Sequence, residues 1–497
     1  MSNQQSGGKN IDQNSESKVL ERYEPVIGLE VHCQLNTKSK LFCGCSTKFG
    51  ALPNTNTCPT CLGYPGVLPV LNKQAVDFAI RVALAVDARI QEVSVFSRKQ
   101  YFYPDLPKGY QITQNDKPYC LGGGITLTSG KLIRLVRIHI EEDAGKNVHG
   151  EDSSYVDLNR AGIPLVEIVS EPDIRKPEEA AEYLKRLRAL VRYLDICDGN
   201  LEEGSFRCDA NVSIMPKGSK TFGTRCEIKN LNSFRNIEKA ITYEIIRQAD
   251  ILDHGGKIKQ QTMLFDAASG KTSPMRSKEE SHDYRYFPEP DLFPLKIDHA
   301  RISAVRDHLP ELPEAMALRF CSQYSLPTYD AKVLTSEKEL ANFFEKLVQL
   351  VGGKVPHKIV ANWVHSEFLR EVNIRNWSLI DPPVTAEHMA QLLSLMGDQV
   401  ISGRIAKEVF ESMVESGGWP KDIVASKGLV QVSDASEILA TIEKVLDAHP
   451  DQLRDYCSGK EKLFGFFVGQ TMKVSAGKLN PGMVNDHLKA ALEKRRG

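Results

Sequence analysis

Four cysteines fall into two close pairs near the start of this 497-residue chain: Cys43-Gly-Cys45, twelve residues, then Cys58-Pro-Thr-Cys61. Pairs at this spacing can bring four thiolates around one tetrahedral Zn²⁺. With every position filled by sulfur, such an ion is structural rather than catalytic. The alternative is a set of free cysteines whose metal has been lost. Five of the eleven cysteines lie between Cys33 and Cys61. That clustering favours a metal site in a reducing cytoplasm over a secreted disulfide framework.

A second constellation is built from acids on strand-like segments. In Val26–Leu35, Ile27, Leu29, Val31, Cys33 and Leu35 alternate with Gly28, Glu30, His32 and Gln34. A period of two means a strand with one apolar and one polar face, so Glu30 and His32 point the same way. Cys33 belongs to the apolar face and to the core. Further along, Glu142 shares a face with Ile138 and Ile140, and Glu167 sits inside the apolar run Leu165–Val169. Arg207, Asp209 and Asn211 align on one face, as do Arg225, Glu227 and Lys229. Half-buried charges are costly unless paired or metal-bound. Acids interleaved with Arg, Lys and one His suit a Mg²⁺–phosphate floor, because Mg²⁺ takes carboxylates, water and phosphate oxygens. A mesh of structural salt bridges is the competing reading.

Nucleotide loops of the usual kinds are missing. Ser269-Gly-Lys-Thr272 resembles the end of a Walker motif, but position 265 is Phe265 where that motif needs Gly, so it reads as a polar turn. Gly122-Gly-Gly124 lacks a following Lys-Ser/Thr and reads as a hairpin turn. Two segments dense in Tyr and punctuated by Pro, Ser97–Gln111 and His282–Asp291, have the character of binding loops.

The elements that must position these residues follow from periodicity. A helix is expected from an Asn72 cap to Val86, another from Pro177 to about Asp195 with Leu184, Leu187, Val191 and Leu194 as its stripe. A third starts at Ser233 and stops near Gly255-Gly256. After Ile297 strand signals fade and short amphipathic helices take over. The expected architecture is α+β: a disordered tail (1–20), a large mixed domain with an antiparallel-rich sheet (21–297), an all-helical domain (298–424) and a small helical tail domain (425–497). The net charge of −1 excludes a global basic field, so a nucleic-acid partner would have to meet a local patch. No apolar run reaches membrane-span length and no leader segment is apparent, so a cytoplasmic protein is expected.

At LEVHCQL, SRKQYFYPDLPKGYQI, HIEEDAGK, VDLNRAGIPLVEIVSEP, EEGSFRCDANVS, EIKNLNSF and DYRYFPEPDL the chain closely resembles the B subunit of the bacterial tRNA-dependent amidotransferase. The resemblance runs from about Tyr23 to the C-terminus. It implies a cradle-shaped, kinase-like domain that uses Mg²⁺ and ATP to phosphorylate the side-chain carboxylate of Glu-tRNA(Gln) or Asp-tRNA(Asn), after which ammonia displaces the phosphate. Glu30, His32 and Glu142 are then the expected Mg²⁺ ligands, with Asp209 and Glu227 as helpers. Lys99 and Arg207 are expected to polarise phosphate or guide ammonia, and Glu142 joins them as a catalytic group. The chain carries no amidase-type Gly-Gly-Ser-Ser-Gly run, so a separate glutaminase A subunit is implied, with a small C subunit completing a heterotrimer.

The tail fits a tRNA partner. Asp451–Gly497 holds nine Lys/Arg against five acids, an excess of +4 on a chain of net −1. Phosphate contacts of this kind recognise shape rather than sequence. Neither DNA nor membrane is an expected partner. Two other readings compete: an ATP-dependent ligase for a small free carboxylic acid, and a non-catalytic, zinc-stapled tRNA-binding scaffold.

Overall fold

The computed structural model of the chain describes residues 13–150, 152–275, 284–429, 434–475 and 479–496. It divides into two compact units, one up to Leu312 and one from Pro313 onward. Among the described residues every strand lies before His299, and beyond that point only helices occur. No described helix is long and apolar enough to cross a membrane.

The first unit is organised by a ten-stranded sheet. Its central strands run in the order Cys226–Lys229, Phe206–Pro216, Tyr23–Gln34, Pro164–Ser170, Leu132–Glu142, each antiparallel to the next. The one parallel pairing on the main path joins Cys226–Lys229 to Thr262–Asp266. The period-two pattern of the first strand is realised: Leu29, Val31 and Cys33 are buried, while Glu30, His32 and Gln34 are half-buried. The helices Lys73–Ala85, Pro177–Tyr193 and Phe234–Asp253 feed their buried residues into the same core as those apolar strand positions. Asn72 and Ser233 cap two of them, their side chains accepting bonds from Ala75 N and Asn236 N. Pro177 opens the third with its missing N–H where none is needed. One face of the sheet is thereby spent on packing, and the charged residues are left on the other.

Two expectations change. Residues 13–20 belong to a helix, Gln13–Arg22, rather than a disordered tail, because Val19 finds the core and Arg22 pairs with Asp253 at 2.6 Å; residues 1–12 lie outside the described set. Gly122-Gly-Gly124 is no hairpin turn. Cys120–Leu121 and Gly124–Thr126 both pair with Leu132–Glu142. A Cβ at Gly123 would stand 2.5 Å from the Val86 carbonyl oxygen, and its φ of +87° is left-handed, so close approach to the end of the Lys73–Ala85 helix requires glycine. Ser269–Thr272 does form part of a turn, between Thr262–Asp266 and Lys271–Pro274.

The second unit is helical from Pro313–Gln323 onward. Within it, residues of 438–492 bury a core of their own around Ile442, Leu446, Phe467 and Leu488.

Candidate metal and catalytic site on the polar face of the sheet

Antiparallel register sets four charged residues in one row across four strands: Arg207 opposite His32, His32 opposite Glu167, and Glu167 opposite His139. The His32 Nε2 lies 3.3 Å from Glu167 and 3.6 Å from Glu141. His139 Nε2 approaches the same two carboxylates at 3.2 and 3.6 Å. His139 and Glu141 are buried, and the Nδ1 of His139 has no hydrogen-bond partner. Burial opposes the charged form of all four groups, but mutual attraction wins. His139 is pushed up to about 9, mainly by the Glu167 charge, and His32 is also raised. Glu141 and Glu167 are held below the usual carboxylate range by the imidazoles.

Beside this row stands a second polar cluster. Asn211 donates to Glu30 at 2.9 Å, and Lys229 bridges Asp209 (2.9 Å) and Glu227 (3.0 Å). Thr262 donates to Glu227 at 2.9 Å. Burial, then the carboxylates of Glu167, Glu227 and Asp209, push Glu30 upward. Acids so crowded against one another on a half-buried floor favour a cation.

His32, Glu141 and Glu167 present ligand atoms that all lie within 4.8 Å of one another. One imidazole and two carboxylates, with the Glu30 carboxyl on the same face, fit a divalent ion that keeps water and phosphate oxygens as its other ligands. The expected set Glu30, His32 and Glu142 is therefore brought together only in part. Strand alternation sends Glu142 to the face opposite Glu141. There its carboxylate accepts from the Ile112 N–H at 2.9 Å and pairs with Lys108. The carboxylate that joins His32 and Glu167, Glu141, was readable from His139-x-Glu141, which repeats the two-residue spacing of Glu30-x-His32.

Glu142 and Lys108 line a cavity of about 200 Å³ whose other walls include Lys40, Phe42, Cys43 and Cys61. Arg207 is engaged by an acid as well. Both of its terminal nitrogens lie 3.0 Å from Asp143, which Gln34 also contacts at 2.8 Å. The guanidinium is thus held in place next to His32 by a buried carboxylate. Lys99 extends from the Ser97–Gln100 strand against Tyr284, its Nζ 4.8 Å from the ring centroid, with Tyr101 at 5.9 Å. Burial alone would lower its pKa; Glu141, together with Tyr286, Tyr284 and Glu167, outweighs that and raises it. Of the second loop, Phe287–Pro288 pairs with Ser97–Gln100, and Glu289 receives a bidentate Arg98 at 2.6 and 2.8 Å. His282 and Asp283 lie outside the described residues.

Cys43, Cys45, Cys58 and Cys61 are brought together, their sulfurs all within 4.8 Å of one another. A hydrogen bond from the Cys43 thiol brings Cys61 down to about 4 and pushes Cys43 up. Cys33 is fully buried in the core, apart from this group.

In the tail, four of the nine cations are neutralised within the unit. Arg454 pairs with Asp451, Lys460 with Asp455, Arg495 with Glu443 and Asp447, and Arg496 with Glu461. Lys462, Lys473, Lys489 and Lys494 have no acid partner among the described residues, and Lys478 lies outside them.

Residues 25–303 match the family model described as the GatB/GatE catalytic domain, and residues 342–492 match the one described as the GatB domain. The chain is 57% identical over 480 residues to the B subunit of the aspartyl/glutamyl-tRNA(Asn/Gln) amidotransferase from Geobacter sp. (strain M21), covering 95% of this chain and 100% of the relative. The proteins of the same name from Solidesulfovibrio magneticus and Myxococcus xanthus are 54% and 53% identical, with 95% of this chain covered in each case and 100% and 98% of the relative. Two matches that span both units, together with relatives this similar end to end, show that the chain belongs to the GatB/GatE family.

Proposed function

We propose that the chain is the ATP-dependent catalytic subunit of a tRNA amidotransferase, acting on Glu-tRNA(Gln), Asp-tRNA(Asn) or both. The observation that carries this reading is the convergence of His32, Glu141 and Glu167 on the sheet face that also holds Glu30 and Asp209, with Lys99 close by on the separate three-stranded sheet. A carboxylate resists attack by ammonia until one of its oxygens carries a leaving group. In the first step the substrate's side-chain carboxylate oxygen attacks the γ-phosphorus of ATP, and ADP departs. In the second, ammonia adds to the carbonyl carbon of the acyl phosphate and inorganic phosphate leaves with the C–O bonding pair.

His32, Glu141 and Glu167, with Glu30 beside them, would hold Mg²⁺, which supplies charge neutralisation at the phosphate oxygens. Lys99 is placed to stabilise negative charge developing above the same floor. Arg207, fixed by Asp143, keeps one edge of the His32 row positively charged and orients it. Lys229 holds Asp209 and Glu227 in position. The four-cysteine group would bind a structural Zn²⁺. Ammonia would come from a separate glutaminase subunit, and the unpaired lysines of the tail would meet tRNA phosphates.

The test is ATP cleavage by the chain co-expressed with its glutaminase partner, with Glu-tRNA(Gln), Asp-tRNA(Asn), free glutamate and no acceptor compared. The reading expects cleavage only with a charged tRNA. Cleavage with free glutamate at the same rate would favour the small-acid ligase, and none with any acceptor would favour the scaffold.

A further inference from the structure

Lys40 is a buried lysine at 1% exposure, yet no carboxylate among the described residues pairs with it. Leaving an ammonium in a protein interior without a counter-charge is costly, so some negative group must compensate it. The two acceptors its Nζ does have are the Cys61 sulfur at 3.6 Å and the Leu158 carbonyl oxygen at 3.3 Å. Glu142, which lines the same cavity, is engaged by Lys108 and the Ile112 N–H. The backbone holds Lys40 to the same cysteine group, since its N–H donates to the Cys45 carbonyl at 3.0 Å. Asn72 secures the other end, donating to the Lys40 carbonyl at 3.3 Å.

Four thiolates around a divalent ion leave two negative charges in excess, and here Cys61, the buried member of the group, carries its share beside the cavity. An ammonium donating to one of the sulfurs is the group that balances them. We infer that Lys40 is the counter-charge of the four-cysteine metal site: it positions and neutralises Cys61, and it is needed most when the site is loaded and carries its excess negative charge. This rests on the reading of the four cysteines as a Zn²⁺ site, not on any role of the sheet-face residues in catalysis. Groups outside a metal's direct ligands that bond to those ligands change metal affinity by about 10–100-fold.

The inference predicts effects of different size in the two states of the protein. In the full-length chain, Lys40→Met removes the partner of a single thiolate from the metal-free form, and the group balancing two excess charges from the zinc form. The melting temperature of the metal-free variant should fall by less than that of the zinc-bound variant. The rise in melting temperature on adding Zn²⁺ should shrink, and competition with a chromophoric chelator should show zinc held about 10–100-fold more weakly. Lys40→Arg, which keeps the charge, should restore most of the affinity. An unchanged zinc affinity in Lys40→Met overturns the inference, and so does an equal loss of melting temperature with and without zinc, which would make Lys40 a packing residue only. Should the Met variant not fold, Lys40→Gln decides the matter on the same scale: weakened zinc supports the inference and unchanged zinc overturns it. If the unaltered chain binds no zinc at all, the metal-site reading itself fails, an outcome distinct from both.

Discussion

His32 and Glu167 stand directly opposite each other on neighbouring antiparallel strands, with the His32 Nε2 3.3 Å from the Glu167 carboxylate. The next strand adds His139 and Glu141 to the same spot. Register, rather than any local sequence motif, makes this site, because its groups come from residues over one hundred positions apart.

The adjacent acids Glu141 and Glu142 should separate under mutation. Glu141→Gln keeps shape and removes a metal-binding charge, so activity should fall by about 100-fold at low Mg²⁺ and recover in part at high Mg²⁺. Glu142→Gln deprives Lys108 of its partner without touching the His32 group, and its loss of activity should not respond to Mg²⁺. Rates of ADP release titrated with Mg²⁺ check this; the same Mg²⁺ dependence in both variants would place Glu142 in the metal site after all.

Zinc content follows from the cysteine group. Metal analysis of the full-length chain after dialysis without chelator should give close to one Zn²⁺ per chain, and Cys61→Ser should hold substantially less. A metal-free chain from zinc-supplemented cells would contradict the assignment.

The sheet's packing can be tested away from the site. Glu244, fully buried on the Phe234–Asp253 helix, accepts from Arg247 at 2.6 Å, Gln248 at 2.8 Å and Thr272 at 3.1 Å. Removing the carboxylate leaves those donors unmet, so Glu244→Ala should cost about 2 kcal/mol or more in the unfolding transition of the first unit. Urea unfolding followed by a probe in that unit measures it, and a change under about 0.5 kcal/mol would mean the network is replaceable by water.

The tail should carry affinity rather than chemistry. Deleting residues 425–497 should weaken tRNA binding strongly, and changing Lys473 and Lys489 together to Ala should flatten the salt dependence of binding by about two phosphate contacts. Filter binding across a range of salt concentrations reads both. Unaltered tRNA affinity in the deletion would move the nucleic-acid surface elsewhere.

Much of this was legible in the residues themselves. Alternation in Val26–Leu35 placed Glu30 and His32 on the polar face, and the caps Asn72 and Ser233 marked helix starts to the residue. The cysteine spacing foretold the one cluster that depends on local chain geometry. Cross-strand partners are another matter. Nothing local indicates that His32 meets Glu167, or that Asp143 occupies the Arg207 guanidinium, because strand order is set by packing of the whole core. The period-two rule puts Glu142 on the face of Ile138 and Ile140, and its carboxylate accordingly meets Lys108 and the Ile112 N–H rather than the His32 group.

The central claim is that the sheet-face carboxylates support phosphoryl transfer to a charged tRNA. Its most direct test is the release of ADP from ATP by the assembled complex with Glu-tRNA(Gln) or Asp-tRNA(Asn), comparing the unaltered chain with Glu141→Gln. Cleavage that requires the charged tRNA and is nearly abolished in the variant, with tRNA binding and melting temperature retained, is the predicted result. Unchanged tRNA-dependent cleavage in Glu141→Gln would contradict the account and return the acids of the sheet face to a structural role.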